Sequence, residues 1–321
     1  MSKNFAQGDK VNPLAITSKK PTSKSIDQYD YYCSIDKCTY SLYEKQISLK
    51  DLEKALSKTK LVYSPASFVD RRRTLTVSFG AGKDFHFLYG GSGNTVHTLI
   101  TNPSNFQSYT EYYKALSSVF SQDFIMQLPI NRIDLTIDVA MYFEDIIHLV
   151  DVKYKRTSSH AAYDGSRTNA INYGKTVSGE YIKVYAKRFE NLPNVEFSRI
   201  EVQLKPAKLN KICKRIHQDI FSNLTKHHFH KNRVNPFKNI TLVDFELVKG
   251  ETEKSKQRYW RMVGALEVCP RSIVRRRLNS QGNFKRDFKG TIKEITPDAQ
   301  LWVVYMLGIQ QWFEKGTEYA E

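Results

Sequence analysis

Hydrophobic and polar residues alternate with a spacing of two through much of the chain up to residue 204, which predicts β-strands. Residues 30–43 predict a strand pair or a strand with a turn. Residues 71–91 predict a β-hairpin, because two alternating runs flank the turn-forming segment GAGKD. The pattern therefore indicates an N-terminal part that is rich in β-structure.

Three later strands carry polar residues along one face. In residues 131–143, Ile133, Leu135 and Ile137 face one way, so the intervening polar residues share the other face. Two further stretches, 181–187 and 197–204, alternate in the same manner. The polar faces of the three strands hold Arg132, Asp134, Thr136, Asp138, Tyr181, Lys183, Tyr185, Lys187, Arg199, Glu201 and Gln203.

Helical spacing replaces alternation elsewhere in the chain. Ser48 and Ser108 are typical helix N-caps, since an acidic residue follows each of them three positions later. A helix is expected around residues 144–155, followed by a polar loop up to Asn172. Beyond the third polar strand the spacing is mainly helical, and residues 296–316 predict a last helix with its tryptophans in the core.

These elements predict an α+β protein with a core antiparallel β-sheet, flanking helices and a basic, mainly helical C-terminal region. We divide the chain into a basic disordered tail (1–27), an N-terminal β-rich region (28–130), a central sheet region (131–206) and a basic helical region (207–321). The central region carries the candidate chemistry.

Charge narrows the range of partners. The 321 residues include 49 Lys and Arg against 33 Asp and Glu, a formal net charge of +16. This excess favours a polyanion, and we expect nucleic acid rather than a membrane surface, because the basic residues do not form one amphipathic helix. No stretch of the chain reaches the roughly 18 apolar residues of a membrane-spanning helix. Four cysteines without a CxxC pair fit reduced thiols in the cytoplasm.

The polar strand faces define a candidate site. If the strands pair in one sheet, Asp134, Asp138 and Glu201 come close together, and such carboxylates repel one another unless a cation lies between them. Mg²⁺ or Mn²⁺ prefers these oxygen ligands and can polarise a phosphate. Tyr185, beside Lys183, is then a candidate nucleophile. A phosphotyrosine would conserve the energy of the broken bond, in a chain without a nucleotide-binding loop.

Two alternatives remain open for these residues. A charged sheet face is also typical of a solvated surface with cross-strand ion pairs. A competing metal site is His228 with His230, which form a His-hydrophobe-His motif within a basic, helix-like stretch.

Three motifs occur in a specific order: INRIDLTID from residue 130, NYG followed by YIKVYAKRFE, and SRIEVQLK from residue 198. This order resembles the Rep_trans family of rolling-circle plasmid replication initiators and the related relaxases of integrative conjugative elements. The resemblance covers residues 131–206. One departure is Gln203, because the family often has a second acidic residue at that position.

The resemblance implies that Tyr185 nicks one DNA strand at an origin, becomes linked to the 5′-phosphate and later rejoins strands. It implies Asp134, Asp138 and Glu201 as ligands of Mg²⁺ or Mn²⁺, and catalytic roles for Lys183 and Arg199 beside the phosphate. It also implies a homodimer in the bacterial cytoplasm, with a host helicase and a DNA polymerase acting after the nick.

Other basic residues are candidate phosphate contacts on DNA. These candidates are Arg71, Arg72, Arg73, Arg132, Lys187, Arg271, Arg275, Arg276, Arg277, Lys285 and Arg286.

Three alternative functions remain open. A conjugative relaxase would use the same chemistry, whereas a non-catalytic DNA-binding regulator would use the sheet for shape alone. RNA binding is a weaker rival.

Overall fold

A computed structural model describes most of the chain and shows an α+β protein built on an antiparallel sheet, as the alternation predicted. The described residues are 16–17, 31–43, 47–58, 62–69, 72–80, 82–89, 96–152, 159–164, 167–174, 179–189, 192–212, 235–269, 271, 274, 282–295 and 301–314.

Among the described residues, eleven strands form one large sheet and four more form two small ones. In chain order the strands are β1 (Ile16–Thr17), β2 (Tyr31–Tyr43), β3 (Val62–Val69), β4 (Arg72–Ser78), β5 (Asp84–Tyr89), β6 (Val96–Thr101), β7 (Ile130–Val139), β8 (Val150–Val152), β9 (Ser159–Asp164), β10 (Arg167–Tyr173), β11 (Glu180–Phe189), β12 (Leu192–Leu204), β13 (Ile240–Leu242), β14 (Asp244–Leu247) and β15 (Ile292–Ile295). The large sheet has the order β3-β4-β5-β6-β2-β7-β12-β11-β10-β9, with β1 parallel to β2 and the other pairs antiparallel.

Strand β2 joins the N-terminal strands to the strands of the candidate site. It runs unbroken for 13 residues and pairs with β6 on one side and β7 on the other. The expectation of two strands, or of a strand and a turn, over residues 30–43 was therefore wrong. The division of the chain at residue 130 falls inside this continuous sheet.

The predicted hairpin is confirmed in β4 and β5. Gly80 and Gly82 adopt φ angles of 91° and 74°, which L-residues with a side chain rarely adopt. The turn is closed by two backbone bonds, from Phe79 N to the Lys83 carbonyl at 2.9 Å and from Lys83 N to the Gly80 carbonyl at 2.8 Å.

Eight α-helices pack around the sheets in the described part of the chain. Both expected N-caps are present, because the Ser48 and Ser108 hydroxyls accept bonds from the backbone N–H groups of Asp51 and Glu111. No described helix is long and apolar enough to span a membrane. The helices are α1 (Leu49–Leu56), α2 (Tyr109–Val119), α3 (Gln122–Gln127), α4 (Phe143–Leu149), α5 (Pro206–Ile212), α6 (Glu253–Val268), α7 (Gly282–Thr291) and α8 (Leu301–Glu314).

Helix α8 covers the apolar side of β2 and confirms the prediction of an aromatic core helix. Its Trp302, Tyr305 and Trp312 are all buried. The Tyr305 hydroxyl donates to the Ser34 carbonyl at 3.4 Å, and the Cys33 thiol donates to the Val304 carbonyl at 3.6 Å. Since hydrophobic residues of both elements are removed from water, α8 and β2 stabilise each other.

Three expectations differ from the structure. The helix predicted over residues 144–155 ends at Leu149 and continues into β8, and the stretch expected to be a polar loop contains β9 and β10. These strands extend the sheet beyond β11, since β9 pairs with β10 and β10 pairs with β11, each with the next strand in the chain. Within the expected disordered tail, Ile16–Thr17 form β1; its other residues lie outside the described part.

A second hydrophobic cluster lies in the C-terminal region. We call it the C-terminal satellite and define it by β14, α6, α7, β15 and the residues between them that the structure describes. Its buried apolar residues are Met262, Leu266, Val274, Phe288 and Ile292. Arg271 lies inside this cluster, fully buried, where it donates to the Val243 carbonyl at 2.6 Å and contacts the Phe245 and Phe288 rings.

Candidate functional site

Strands β7, β12 and β11 bring the predicted polar residues into three rows across the sheet, and Asp134, Gln203 and Tyr181 form the row at one end. Asp138, Arg199 and Tyr185 are directly opposite one another in one row. Thr136, Glu201 and Lys183 form the next row. The sequence prediction that these polar faces gather on one side of a sheet is thus consistent with the observed register.

This polar face is far less exposed than a solvated surface. Asp138 is 0% exposed, Arg199 2% and Glu201 3%. Lys183 and Tyr185 are half-buried, so they form the accessible part of the cluster. Charges removed from water in this way must be paired with opposite charges or with hydrogen-bond partners, because an isolated buried charge is strongly unfavourable.

Tyr185 is held by a carboxylate. Its hydroxyl donates to Glu201 Oε2 at 2.9 Å, and Lys183 Nζ donates to Oε1 of the same carboxylate at 2.9 Å. Burial, with a further contribution from the Glu201 charge, raises the pKa of Tyr185 well above its usual range. The phenol therefore carries its proton at neutral pH, and Glu201 is positioned to accept that proton.

Arg199 is opposite Tyr185 on the neighbouring strand and lies between two carboxylates. Its Nε and Nη2 donate to Asp138 Oδ1 and Oδ2 at 2.6 and 2.7 Å, and its Nη1 lies 2.7 Å from Asp36 Oδ1. Burial acts to lower the pKa of Arg199, but the two carboxylates outweigh it and raise that pKa well above its usual range. Arg199 is therefore a permanent cation whose bonds are directed to the protein.

Sequence reasoning missed Asp36. The pairing of β2 with β7 shifts register between Ile35 and Lys37, so Asp36 is the extra residue of a β-bulge. A bulge of this kind changes the direction in which a side chain points. The side chain of Asp36 is 33% exposed and reaches Arg199, whereas regular alternation would have given no reason to single it out.

Arg132 lies among oxygen atoms of three residues. Its Nε donates to Asp134 Oδ1 at 2.7 Å, its Nη2 donates to Asp134 Oδ2, and Nη2 is 4.0 Å from Glu201 Oε1. The Gln203 amide faces the guanidinium, and because Arg132 offers only donors, we assign its oxygen to that side, where it accepts from Nε at 3.0 Å. One cationic group thus contacts both Asp134 and Gln203 and faces Glu201.

The donor set can be tested against the predicted divalent metal. Asp138 does not fit, because both of its oxygens bind Arg199, whose side chain is only 3% exposed and cannot swing into solvent, whereas Arg132 beside Asp134 is 28% exposed. Asp134, Glu201 and Gln203 do fit, since two carboxylates and an amide oxygen surround one cation, and such oxygens suit Mg²⁺ or Mn²⁺. In the part of the chain that the structure describes, no three His, Cys, Asp or Glu residues form a metal-binding cluster.

The candidate DNA contacts fall into three groups. Arg286 is exposed on α7, while Lys187 is half-buried on the same face as Tyr185. Arg271 is fully buried and bonds to Glu294, which contradicts its prediction as a DNA contact. Arg72 and Arg73 in β4 and Lys285 in α7 have described backbones only; Arg71, Arg275, Arg276, Arg277, His228 and His230 lie outside the described residues.

The fold and this cluster define the protein as an α+β protein with a buried polar site on an antiparallel sheet. No family model and no curated protein matches the chain. Among solved structures, the chain is similar to the rolling circle replication initiator protein from Geobacillus stearothermophilus, with 14% sequence identity and a TM-score of 0.37. The similarity covers 74% of this chain and 96% of that chain.

Proposed function

We propose that this protein is a metal-dependent enzyme that nicks one strand of DNA through Tyr185 and later rejoins strands, as in the initiation of rolling-circle replication. The observation that supports this most is the hydrogen bond of 2.9 Å between the Tyr185 hydroxyl and Glu201. It gives a half-buried tyrosine a proton acceptor, which a phenol needs in order to attack phosphorus. The three motifs of the resemblance contain the same residues.

In the proposed reaction, the Tyr185 oxygen forms a bond to phosphorus as the bond to the 3′-oxygen breaks. The Tyr185 proton passes to Glu201 Oε2, and the departing 3′-oxygen takes a proton from solvent water to become a hydroxyl. Lys183 Nζ, 2.9 Å from Glu201 Oε1, holds that carboxylate in place and is the nearest described donor to it besides Tyr185. Rejoining reverses these steps, with Glu201 returning the proton to Tyr185.

A divalent cation held by Asp134, Glu201 and Gln203 would supply positive charge against the phosphate oxygens during this exchange. Arg199 has a different role from the one expected. Its bonds to Asp138 and Asp36 make it a positioning residue on the strand next to Tyr185 rather than a phosphate ligand.

DNA is the proposed substrate, and two basic regions support its binding. Lys187 lies on the same face of β11 as Tyr185, and Arg132 faces Glu201, which binds Tyr185. The C-terminal satellite exposes Arg261 and Arg286, with side-chain exposures of 68% and 54%. Phosphate contacts of this kind set affinity and its salt dependence. A homodimer in the bacterial cytoplasm, and a host helicase and polymerase that act after the nick, belong to the same proposal.

One observation favours a second candidate, a non-catalytic DNA-binding regulator. Each carboxylate of the polar face already has a cationic partner: Asp134 has Arg132, Asp138 has Arg199 and Glu201 has Lys183. A face that serves only as scaffold would show the same complete pairing.

The Tyr185→Phe variant separates the two candidates. The substrate is supercoiled DNA that carries the replication origin of the plasmid or mobile element on which the protein acts, with Mg²⁺ or Mn²⁺ added. The wild type should give nicked circles, and protein should stay attached to the 5′ end of the nicked strand after denaturation. Tyr185→Phe should lose both by roughly 10³-fold or more, because no other group replaces a nucleophile efficiently. Peptide mapping of the adduct should identify Tyr185.

Tyr181→Phe is the matched control, because Tyr181 lies on the same face of β11 but is 7% exposed. It should keep the adduct. An adduct that persists in Tyr185→Phe would contradict the assignment, and DNA binding without any nick in the wild type would favour the regulator. Nicking at a transfer origin instead of a replication origin would identify a conjugative relaxase.

A further inference from the structure

Oxygen atoms of Asp134, Gln203 and Glu201, which we call the oxygen set, lie around the guanidinium of Arg132. Asp134 contributes both carboxylate oxygens, Gln203 contributes its amide oxygen at 3.0 Å from Nε, and Glu201 Oε1 lies 4.0 Å from Nη2. Carboxylate and amide oxygens are also the ligands of hard divalent cations. In the structure, the cation among these oxygens is the guanidinium of Arg132, a side chain of the protein itself.

We propose that Arg132 is a resident cation that holds this oxygen set together, and that a divalent metal ion binds by displacing it. The displaced guanidinium would then be free to contact a phosphate of the DNA, since an arginine fork binds phosphate well. The inference rests on the proposed metal-dependent function, and it assigns Arg132 a role in metal loading rather than in DNA contact alone.

Exposure shows which part of the set can move. The Arg132 side chain is 28% exposed, whereas the side chains of Asp134 and Glu201 are only 2% and 5% exposed. Arg132 can therefore swing toward solvent while the carboxylates remain on their strands. The neighbouring pair of Arg199 and Asp138 cannot exchange in this way, because those side chains are 3% and 0% exposed.

Charge balance favours the exchange when DNA is present. Arg132 and Lys183 together neutralise Asp134 and Glu201. If a divalent ion replaces the guanidinium, the ion and Lys183 together carry one positive charge more than Asp134 and Glu201 neutralise. The released Arg132 adds a second positive charge nearby. A site with this balance attracts a phosphodiester more strongly than the neutral set does.

Arg132→Met tests the exchange without relying on activity. It keeps a long side chain but removes the competing cation, so the full-length variant should bind Mn²⁺ about tenfold more tightly or better, measured by titration calorimetry or by the electron paramagnetic resonance signal of free Mn²⁺. Arg132→Lys, which retains a single charge but loses the fork, should fall between Met and the wild type. In Arg132→Met combined with Asp134→Asn, the gain should disappear.

Arg188→Met is the matched control, because Arg188 is on β11, 73% exposed, and pairs with Glu196 away from the oxygen set. It removes the same charge and should leave Mn²⁺ affinity unchanged within about twofold, as expected for a surface charge in salt. Circular dichroism of each variant checks folding, and Arg132→Lys serves if Arg132→Met does not fold.

Unchanged or weaker Mn²⁺ binding in folded Arg132→Met would overturn the exchange, as would an equal gain in Arg188→Met. These outcomes differ from failure of the proposed function. If the Tyr185 adduct forms but the Arg132 variants do not change Mn²⁺ affinity, the nicking function stands and the exchange fails. If the exchange occurs but no adduct forms, the metal site stands and the nicking function fails.

Discussion

The two faces of strand β7 are equally buried but chemically opposite. On one face, Ile133, Leu135 and Ile137 lie in the hydrophobic core, each at most 1% exposed. On the other, Asp134, Thr136 and Asp138 are also at most 1% exposed. Apolar side chains gain free energy from burial, whereas charges lose hydration and must recover it from partners. The comparison teaches that the stability of the polar face depends on a partner for every buried charge, while the stability of the apolar face depends on close packing.

The largest expected effect comes from breaking a pair on the polar face. Arg199→Leu leaves Asp138 buried without its bidentate partner, and we expect a loss of about 3–5 kcal/mol in the free energy of unfolding. Urea denaturation followed by circular dichroism measures it. Adding Asp138→Leu should restore much of the loss, because the fully buried carboxylate is then gone, and Asp36, the other carboxylate that binds Arg199, is 33% exposed. A single-variant loss below about 1 kcal/mol would show that the pair behaves like a surface pair.

A medium effect is expected on the apolar face of the same strand. Ile137→Val removes one methylene group next to Asp138 in the chain, and we expect a loss of about 0.5–1.5 kcal/mol in the free energy of unfolding. The same urea titration applies, and the Tyr185 adduct should form at wild-type level below the unfolding transition. If Ile137→Val costs as much as Arg199→Leu, the two faces do not differ in the way proposed.

The smallest effect is expected where charges are exposed. Lys256 and Glu253 on α6 form an ion pair of 2.7 Å, with side-chain exposures of 41% and 81%. Lys256→Ala should change the free energy of unfolding by about 0.5 kcal/mol or less, because solvent screens such pairs. A change above about 1 kcal/mol would mean that exposure does not decide what an ion pair contributes in this protein.

Local alternation was sufficient to predict the strands of the site and the side of each that carries charge. Lys183, Glu201 and Thr136 are neighbours in the observed register because each strand keeps strict alternation. Alternation could not reveal Asp36, because a bulge depends on the pairing of two strands about a hundred residues apart. It also could not show that Asp138 is engaged by Arg199, since both residues looked equally available for ligands.

Composition misled in the C-terminal region. Arg271 belongs to a stretch rich in basic residues, and such stretches are usually solvated. It is buried because Glu294, the Val243 carbonyl and two aromatic rings provide partners, and these lie on other elements. The expectation of a loop before Asn172 was wrong for a related reason. Residue composition suggested a loop, but β9 and β10 are stabilised by hydrogen bonds to each other and to β11.

The position of β2 at the centre of the large sheet has a consequence for the order in which the protein is assembled. The Cys33 thiol contacts the Val304 carbonyl across a separation of 271 residues, and Ser34 contacts Thr136 across 102. At about 5–20 residues per second, a ribosome needs on the order of tens of seconds to travel from β2 to α8. During that interval β2 has no α8 to cover its apolar side. We expect such a chain to fold slowly, because contacts between residues far apart in the sequence must form last, and we expect β2 to expose its apolar side until α8 is synthesised.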